Sequence, residues 1–254
     1  MAKFKDQVYD TDNNLKLDVF APRKANSSKK ILVFIHGGNW VNGKKSLYHF
    51  FGKGMARKNI VCVVISYRLS PRTDIEGMAN DVAKSIKWIK ENSTLFHGDT
   101  SNIFVSGHSA GGHLAAMVAT DDSYFQKLKM SNPTKGVVLI DAYGLDVYSY
   151  LKASTNDRDS KYYPIFSTDQ NKWKKYSPIF DLNKNSPAFI QFVGGKTNQI
   201  IKDMNGEFYT EVKKYQPEAK LIVVKRKRHV PMIFQFYNPY IKSYKDIVDF
   251  IKPY

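Results

Sequence analysis

Ile31-Leu32-Val33-Phe34-Ile35 carries apolar side chains at every position. Such a run cannot form a half-exposed strand, because successive side chains of a strand point to opposite faces. Both faces must be covered, as in a parallel sheet flanked by helices. Similar runs recur at residues 60–65, 103–105, 137–140, 188–193 and 221–224. Between them the period changes. From Asp74 to Glu91, apolar residues at Ile75, Met78, Val82, Ile86 and Ile89 fall at three- and four-residue steps, the spacing of an amphipathic helix. Further helices are expected at residues 47–58, 114–120, 207–215 and 240–251, and residues 15–20 alternate like an early, half-exposed strand. Strands alternating with helices imply an α/β architecture. The 254 residues suit one domain covering 1–254. Residues 146–186, rich in Tyr, Lys, Ser and Pro, are long for a plain connection and read as a cap-like insertion over a site.

Composition narrows the function classes. No apolar run approaches the 18 or more residues of a membrane span. The N-terminal residues Met1-Ala2-Lys3-Phe4-Lys5-Asp6 turn polar at once, without the apolar core of a signal peptide, so a cytoplasmic location is expected. The single cysteine, Cys62, lies in an apolar run and reads as a buried, inert thiol. The net charge of +16 is spread along the chain, and no nucleic-acid-binding motif accompanies it. Its densest cluster, Lys225-Arg226-Lys227-Arg228, abuts His229. No nucleic-acid partner is therefore expected. No metal-ligand cluster and no phosphate-binding glycine loop stands out, so neither metal nor cofactor is expected.

The chemistry concentrates at Gly107-His108-Ser109-Ala110-Gly111. An apolar strand runs into it and the small-residue stretch Ala110-Gly111-Gly112-His113-Leu114-Ala115-Ala116 runs out as a helix. A sharp strand-to-helix turn lifts the serine clear of the backbone and needs glycines on both sides. The helix N-terminus beneath Ser109 offers free N–H groups to a developing oxyanion. Ser109 is the expected nucleophile. His36-Gly37-Gly38-Asn39-Trp40, directly after the buried strand ending at Ile35, can bring its backbone close to a substrate carbonyl. The N–H groups of Gly38, Asn39 and Ala110 are the expected oxyanion hole.

These two motifs resemble the α/β-hydrolase family, and within it the HGG-motif esterases: hormone-sensitive-lipase-like carboxylesterases, bacterial feruloyl-esterase-like proteins and kynurenine formamidases. Tyr67-Arg68-Leu69-Ser70-Pro71 and Tyr176-Ser177-Pro178 extend the likeness, which spans roughly residues 15 to 250. The resemblance implies an α/β-hydrolase fold, with a mostly parallel central sheet and helices on both faces. Members of the family often carry Gly where Asn39 stands.

A serine hydroxyl needs a base within hydrogen-bond reach. In this fold the order along the chain is Ser, acid, His, with the His after the last strand. His229 follows residues 221–224 and is the expected base. His36 and His108 are expected to orient backbone or line the pocket, and His113 to pack or lie at the surface. The acid departs from the family pattern, which places Asp after the penultimate strand as Gly-x-x-Asp-x-x-Val. Here that loop reads Gly194-Gly195-Lys196-Thr197-Asn198-Gln199-Ile200-Ile201, which puts Asn198, or else Thr197, at the acid position. An Asn orients the imidazole without offsetting its charge, and an Asp-to-Asn exchange costs about 10⁴ in turnover in a serine protease. Three readings stand. Asn198 orients His229 in a slower enzyme, which is the preferred one. A displaced carboxylate serves instead, from Asp203, Asp141 or Asp146. Or the chain is a ligand-binding pseudo-hydrolase with a degraded triad.

The expected activity is hydrolysis of small or aromatic carboxylic esters through an acyl-enzyme, with an arylformamidase-type amidase as the neighbouring alternative. The expected partner is a small-molecule ester, and the oligomeric state is left open. Tyr148, Tyr150, Tyr162, Tyr163, Trp173 and Tyr176 of the insertion are candidates to cover the pocket.

Overall fold

The computed structural model describes residues 1–23, 27–154 and 157–254. Eight strands form one sheet: β1 (Ala2–Asp10), β2 (Leu15–Ala21), β3 (Lys29–Ile35), β4 (Val61–Ile65), β5 (Gly98–His108), β6 (Thr134–Ile140), β7 (Ala188–Gly194) and β8 (Lys220–Val224). Their spatial order is β1-β2-β4-β3-β5-β6-β7-β8. The two pairings that involve β2 are antiparallel, and from β4 through β8 every pairing is parallel.

The helices are α1 (His49–Arg57), α2 (Ile75–Glu91), α3 (Ala110–Thr120), α4 (Ser123–Gln126), α5 (Val147–Ala153), α6 (Tyr163–Phe166), α7 (Gln170–Trp173), α8 (Gln199–Tyr215), α9 (His229–Phe234) and α10 (Lys242–Ile251). They bury both faces of the sheet. Ile31, Val33 and Ile35 point into a core shared with α2, α3 and α8, whereas Leu32 and Phe34 point into one shared with α1, α9 and α10. The consecutive apolar residues of β3 are thus divided between two cores, as its unbroken run requires. No helix among the described residues is long and apolar enough to cross a membrane.

Strand β1 and helices α4 and α9 are among the elements that carried no clear sequence signal. Strand β1 alternates half-buried and exposed residues at the sheet edge, and its register slips between Phe4 and Gln7, where Asp6 adopts φ 54. A polar edge strand with a bulge has too few apolar residues to betray its period. Helix α9 spans six residues and contains Pro231, which its first turn tolerates. Within 146–186 lie α5, α6 and α7, with 3₁₀ turns at Asp157–Tyr162 and Pro178–Phe180. Residues 155 and 156 of that segment lie outside the described residues.

Candidate active site

The parallel strands end at one edge of the sheet, where their loops converge. Strand β5 ends at His108, and Ser109 follows with φ 54 and ψ −124 before α3 begins. That backbone lies outside the regions an L-residue prefers, at a cost of about 1–3 kcal/mol. The surroundings enforce it. The Ser109 N–H donates to the Ile140 carbonyl at 3.1 Å, and its own carbonyl accepts from Gly112 at 2.9 Å. A Cβ on Gly107 would lie 2.1 Å from the Gly111 carbonyl oxygen, and one on Gly111 would lie 2.1 Å from that of Ile35. Only glycines let the turn close this tightly.

The loop after β3 curls in the left-handed region, with φ 133 at Gly38, 55 at Asn39 and 61 at Trp40. A Cβ at Gly38 would overlap the Asn42 carbonyl oxygen at 1.9 Å. Among the described residues, the N–H groups of Gly38, Asn39 and Ala110 meet no protein acceptor. Gly38, Asn39 and Ser109 line one cavity of about 500 Å³, together with Tyr48, His108, Tyr143, Tyr162, Asn198, Ile200, His229, Val230 and Phe234.

His229 is the first residue of α9, in the loop after β8. Its Nε2 lies 2.9 Å from Ser109 Oγ, and its Nδ1 lies 3.0 Å from Asp141 Oδ2. A carboxylate can only accept, so Nδ1 carries the proton and Nε2 presents a lone pair to the serine hydroxyl. Asp141 directly follows β6 and is fully buried. It adopts φ 46, and its N–H donates to the Phe192 carbonyl at 2.8 Å. Two further donors hold the carboxylate: the Gly194 N–H on Oδ1 at 2.7 Å and the Thr197 hydroxyl on Oδ2 at 2.6 Å. A buried carboxylate needs such partners, since an unpaired one is costly in a low-dielectric interior.

The preferred acid of the sequence reading is therefore corrected. Asn198 is exposed, caps α8 through its backbone carbonyl, and no hydrogen bond joins its side chain to His229. Asp203 is exposed and accepts from Gln199 Nε2, while Asp146 caps α5 by accepting from the Ser149 N–H. Of the carboxylates considered, Asp141 is the one beside the imidazole. Thr197, the other residue at the expected acid position, reaches the site as a donor to that carboxylate.

His36 and His113 are sealed in the interior. Burial lowers the pKa of His36 and His113 to about 4 each. His36 Nδ1–H donates to the Gly37 carbonyl, and His113 Nε2–H to the Tyr176 carbonyl at 2.7 Å. Both rings are neutral framework at working pH. Of the insertion's aromatics, Tyr162 borders the cavity, whereas Trp173 and Tyr176 are buried in the core beneath it and Tyr163 stacks on Trp173. Tyr48, Tyr143, Val230 and Phe234 line the cavity without having been singled out, because nothing in a lone aromatic or valine marks it as a wall.

Comparison with known proteins agrees with this frame. A solved structure described as a truncated form of a carbohydrate esterase from gut microbiota superposes with a TM-score of 0.85, covering 100% of this chain and 96% of that one at 18% identity. At that identity the likeness shows the fold, which is the α/β-hydrolase fold. A probable isoprenylcysteine alpha-carbonyl methylesterase of Arabidopsis thaliana is 25% identical over 90% of this chain and 57% of its own length. Esterase LipC of Mycobacterium tuberculosis is 29% identical over 74% of this chain and 50% of its own. The chain thus spans about half the length of the curated relatives it matches. The profile of the BD-FAE family matches residues 17–211, which is most of the sequence. The chain belongs to the BD-FAE family.

Proposed function

We propose that this chain is a serine-dependent carboxylic ester hydrolase that acts on small or aromatic esters through an acyl-enzyme. The observation that carries the reading is the continuous relay Ser109 Oγ, His229, Asp141, with 2.9 Å and 3.0 Å contacts, at the wall of a cavity of about 500 Å³. The likeness to a probable methylesterase and to an esterase supports ester chemistry.

The steps follow from the tautomer. His229 Nε2 takes the Ser109 proton as Oγ attacks the ester carbonyl. Asp141 holds the ring in place and offsets the imidazolium charge. The N–H groups of Gly38, Asn39 and Ala110 stabilise the oxyanion, each such donor being worth about 10²–10³ in turnover in a well-studied protease. The imidazolium then protonates the leaving alcohol oxygen as the C–O bond breaks, leaving an acyl-serine. Water, deprotonated by His229, releases the acid and restores the serine. In this reading residues 146–186 form the cap, with Tyr162 as its contribution to the cavity.

Hydrolysis of p-nitrophenyl acetate and butyrate by wild type and Ser109→Ala tests the reading. Turnover that falls by at least about 10³-fold in the variant supports it. A wild type without Ser109-dependent turnover overturns it.

A further inference from the structure

His108 is the last residue of β5, directly before Ser109, and the proposed reaction gives it nothing to do. Its surroundings are nonetheless specific. Its Nε2 lies 3.2 Å from the backbone carbonyl of His229. Its ring faces the His229 imidazole, with centroids 4.7 Å apart and planes inclined by 28°. Its Nδ1 is buried and meets no partner among the described residues. A Cβ on Gly37 would lie 3.1 Å from that nitrogen.

These contacts select one tautomer. A carbonyl can only accept, so Nε2 carries the proton. A proton on Nδ1 would be a buried donor with no acceptor, an arrangement proteins avoid. Burial, reinforced by the nearby His229 ring, pushes the pKa of His108 down to about 3, against the smaller opposing effects of its hydrogen bond to the His229 backbone and of the Asp141 charge. The ring is neutral wherever His229 can act as a base.

His229 needs such support. It opens a short helix with no side-chain cap, directly after the loop 225–228, in which Arg226 adopts φ 62. Its side chain is 25% exposed, so one side of the imidazole is free of protein. Rotation about its χ angles would break the contacts to Ser109 and Asp141 together.

We propose that His108 is a positioning residue for His229: its Nε2–H ties down the backbone of the base, and its ring face holds the imidazole in the rotamer that aims Nε2 at Ser109. The proposal rests on the assignment of His229 as the base. Neutrality belongs to the role, because a neutral π face attracts the imidazolium formed during turnover whereas a second charged ring would repel it.

Two variants divide the contributions. His108→Phe keeps a flat ring and removes the donor, while His108→Gln keeps an N–H near the same place and removes the stacking ring. Activity on p-nitrophenyl butyrate is measured per serine titrated by a phosphonate, so that unfolded protein is not counted. We expect kcat to fall about tenfold in each, as for the loss of one hydrogen bond's worth of transition-state support, with KM within about twofold of wild type. In wild type, imidazole ¹⁵N spectra should show His108 protonated on Nε2 and untitrated from pH 5 to 9. Turnover that survives Ser109→Ala overturns the hydrolase reading and this proposal with it. Loss in Ser109→Ala with kcat unchanged in both His108 variants overturns this proposal alone. So does a change confined to KM, or a His108 ring that titrates above pH 5.

Discussion

The ends of β6 and β7 lie side by side in the sheet, paired in parallel, and both loops border His229. They have divided one task between them. The β6 end supplies the carboxylate, Asp141, which stands beside the imidazole. The β7 end, where the family pattern expects that carboxylate, supplies instead two donors that grip it, the Gly194 N–H and the Thr197 hydroxyl. The neighbouring Asn198 is left exposed at the cavity rim. The carboxylate beside Nδ1 is therefore picked out by where its oxygen stands and not by the strand end that a sequence pattern points to.

The largest effect should come from breaking the β6 side. Asp141→Asn keeps the shape but removes the charge, and by analogy with the serine-protease exchange it should lower kcat by about 10⁴. A loss below about tenfold in p-nitrophenyl butyrate hydrolysis would move the acid elsewhere. A smaller loss should come from the β7 side. Thr197→Val removes a hydrogen bond to a charged oxygen, and kcat should fall about tenfold with little change in KM. An unchanged kcat would mean that the Gly194 N–H and His229 suffice to place the carboxylate.

Much of this division was hidden in the sequence, for physical reasons. The central strands were legible because burial on both faces leaves no polar position, as in residues 31–35. The elbow was legible because Gly107 and Gly111 occupy places that admit no Cβ. The histidine that meets Ser109 was legible from its place after the last strand. The acid was not. An Asp after a strand has no periodic signature, and what separates the three is where the fold puts them: Asp141 buried beside His229, Asp146 capping α5 and Asp203 exposed on α8. The same holds for Thr197, whose hydroxyl acquires meaning only beside Asp141. His113 was expected either to pack or to lie at the surface, and it proves wholly buried beneath the Tyr176 carbonyl.

The elbow side of the site offers a milder contrast, since His36, His108 and His113 are sealed there as neutral rings with pKa values of about 4, 3 and 4. In the unfolded chain each regains a value near 6.5. Below that pH the unfolded state binds protons that the folded state refuses, so stability falls as pH drops toward 4. The slope is about 1.4 kcal/mol per pH unit for each ring. Calorimetry between pH 7.5 and 4.5 should therefore show Tm declining steadily below about pH 6.5, and a flat Tm would contradict the sealed, neutral state of these rings. The smallest effect belongs to Asn198. Asn198→Ala should leave kcat within about twofold of wild type, because no hydrogen bond links that side chain to the base.

That Asp141 and not Asn198 holds His229 can be read from the proton on His229 Nδ1. A strong hydrogen bond to a carboxylate shifts that proton far downfield in the ¹H spectrum. The resonance should be present in wild type and in Asn198→Ala, and lost in Asp141→Asn. Its survival in Asp141→Asn, or its disappearance in Asn198→Ala, would mean that a group other than Asp141 holds the imidazole.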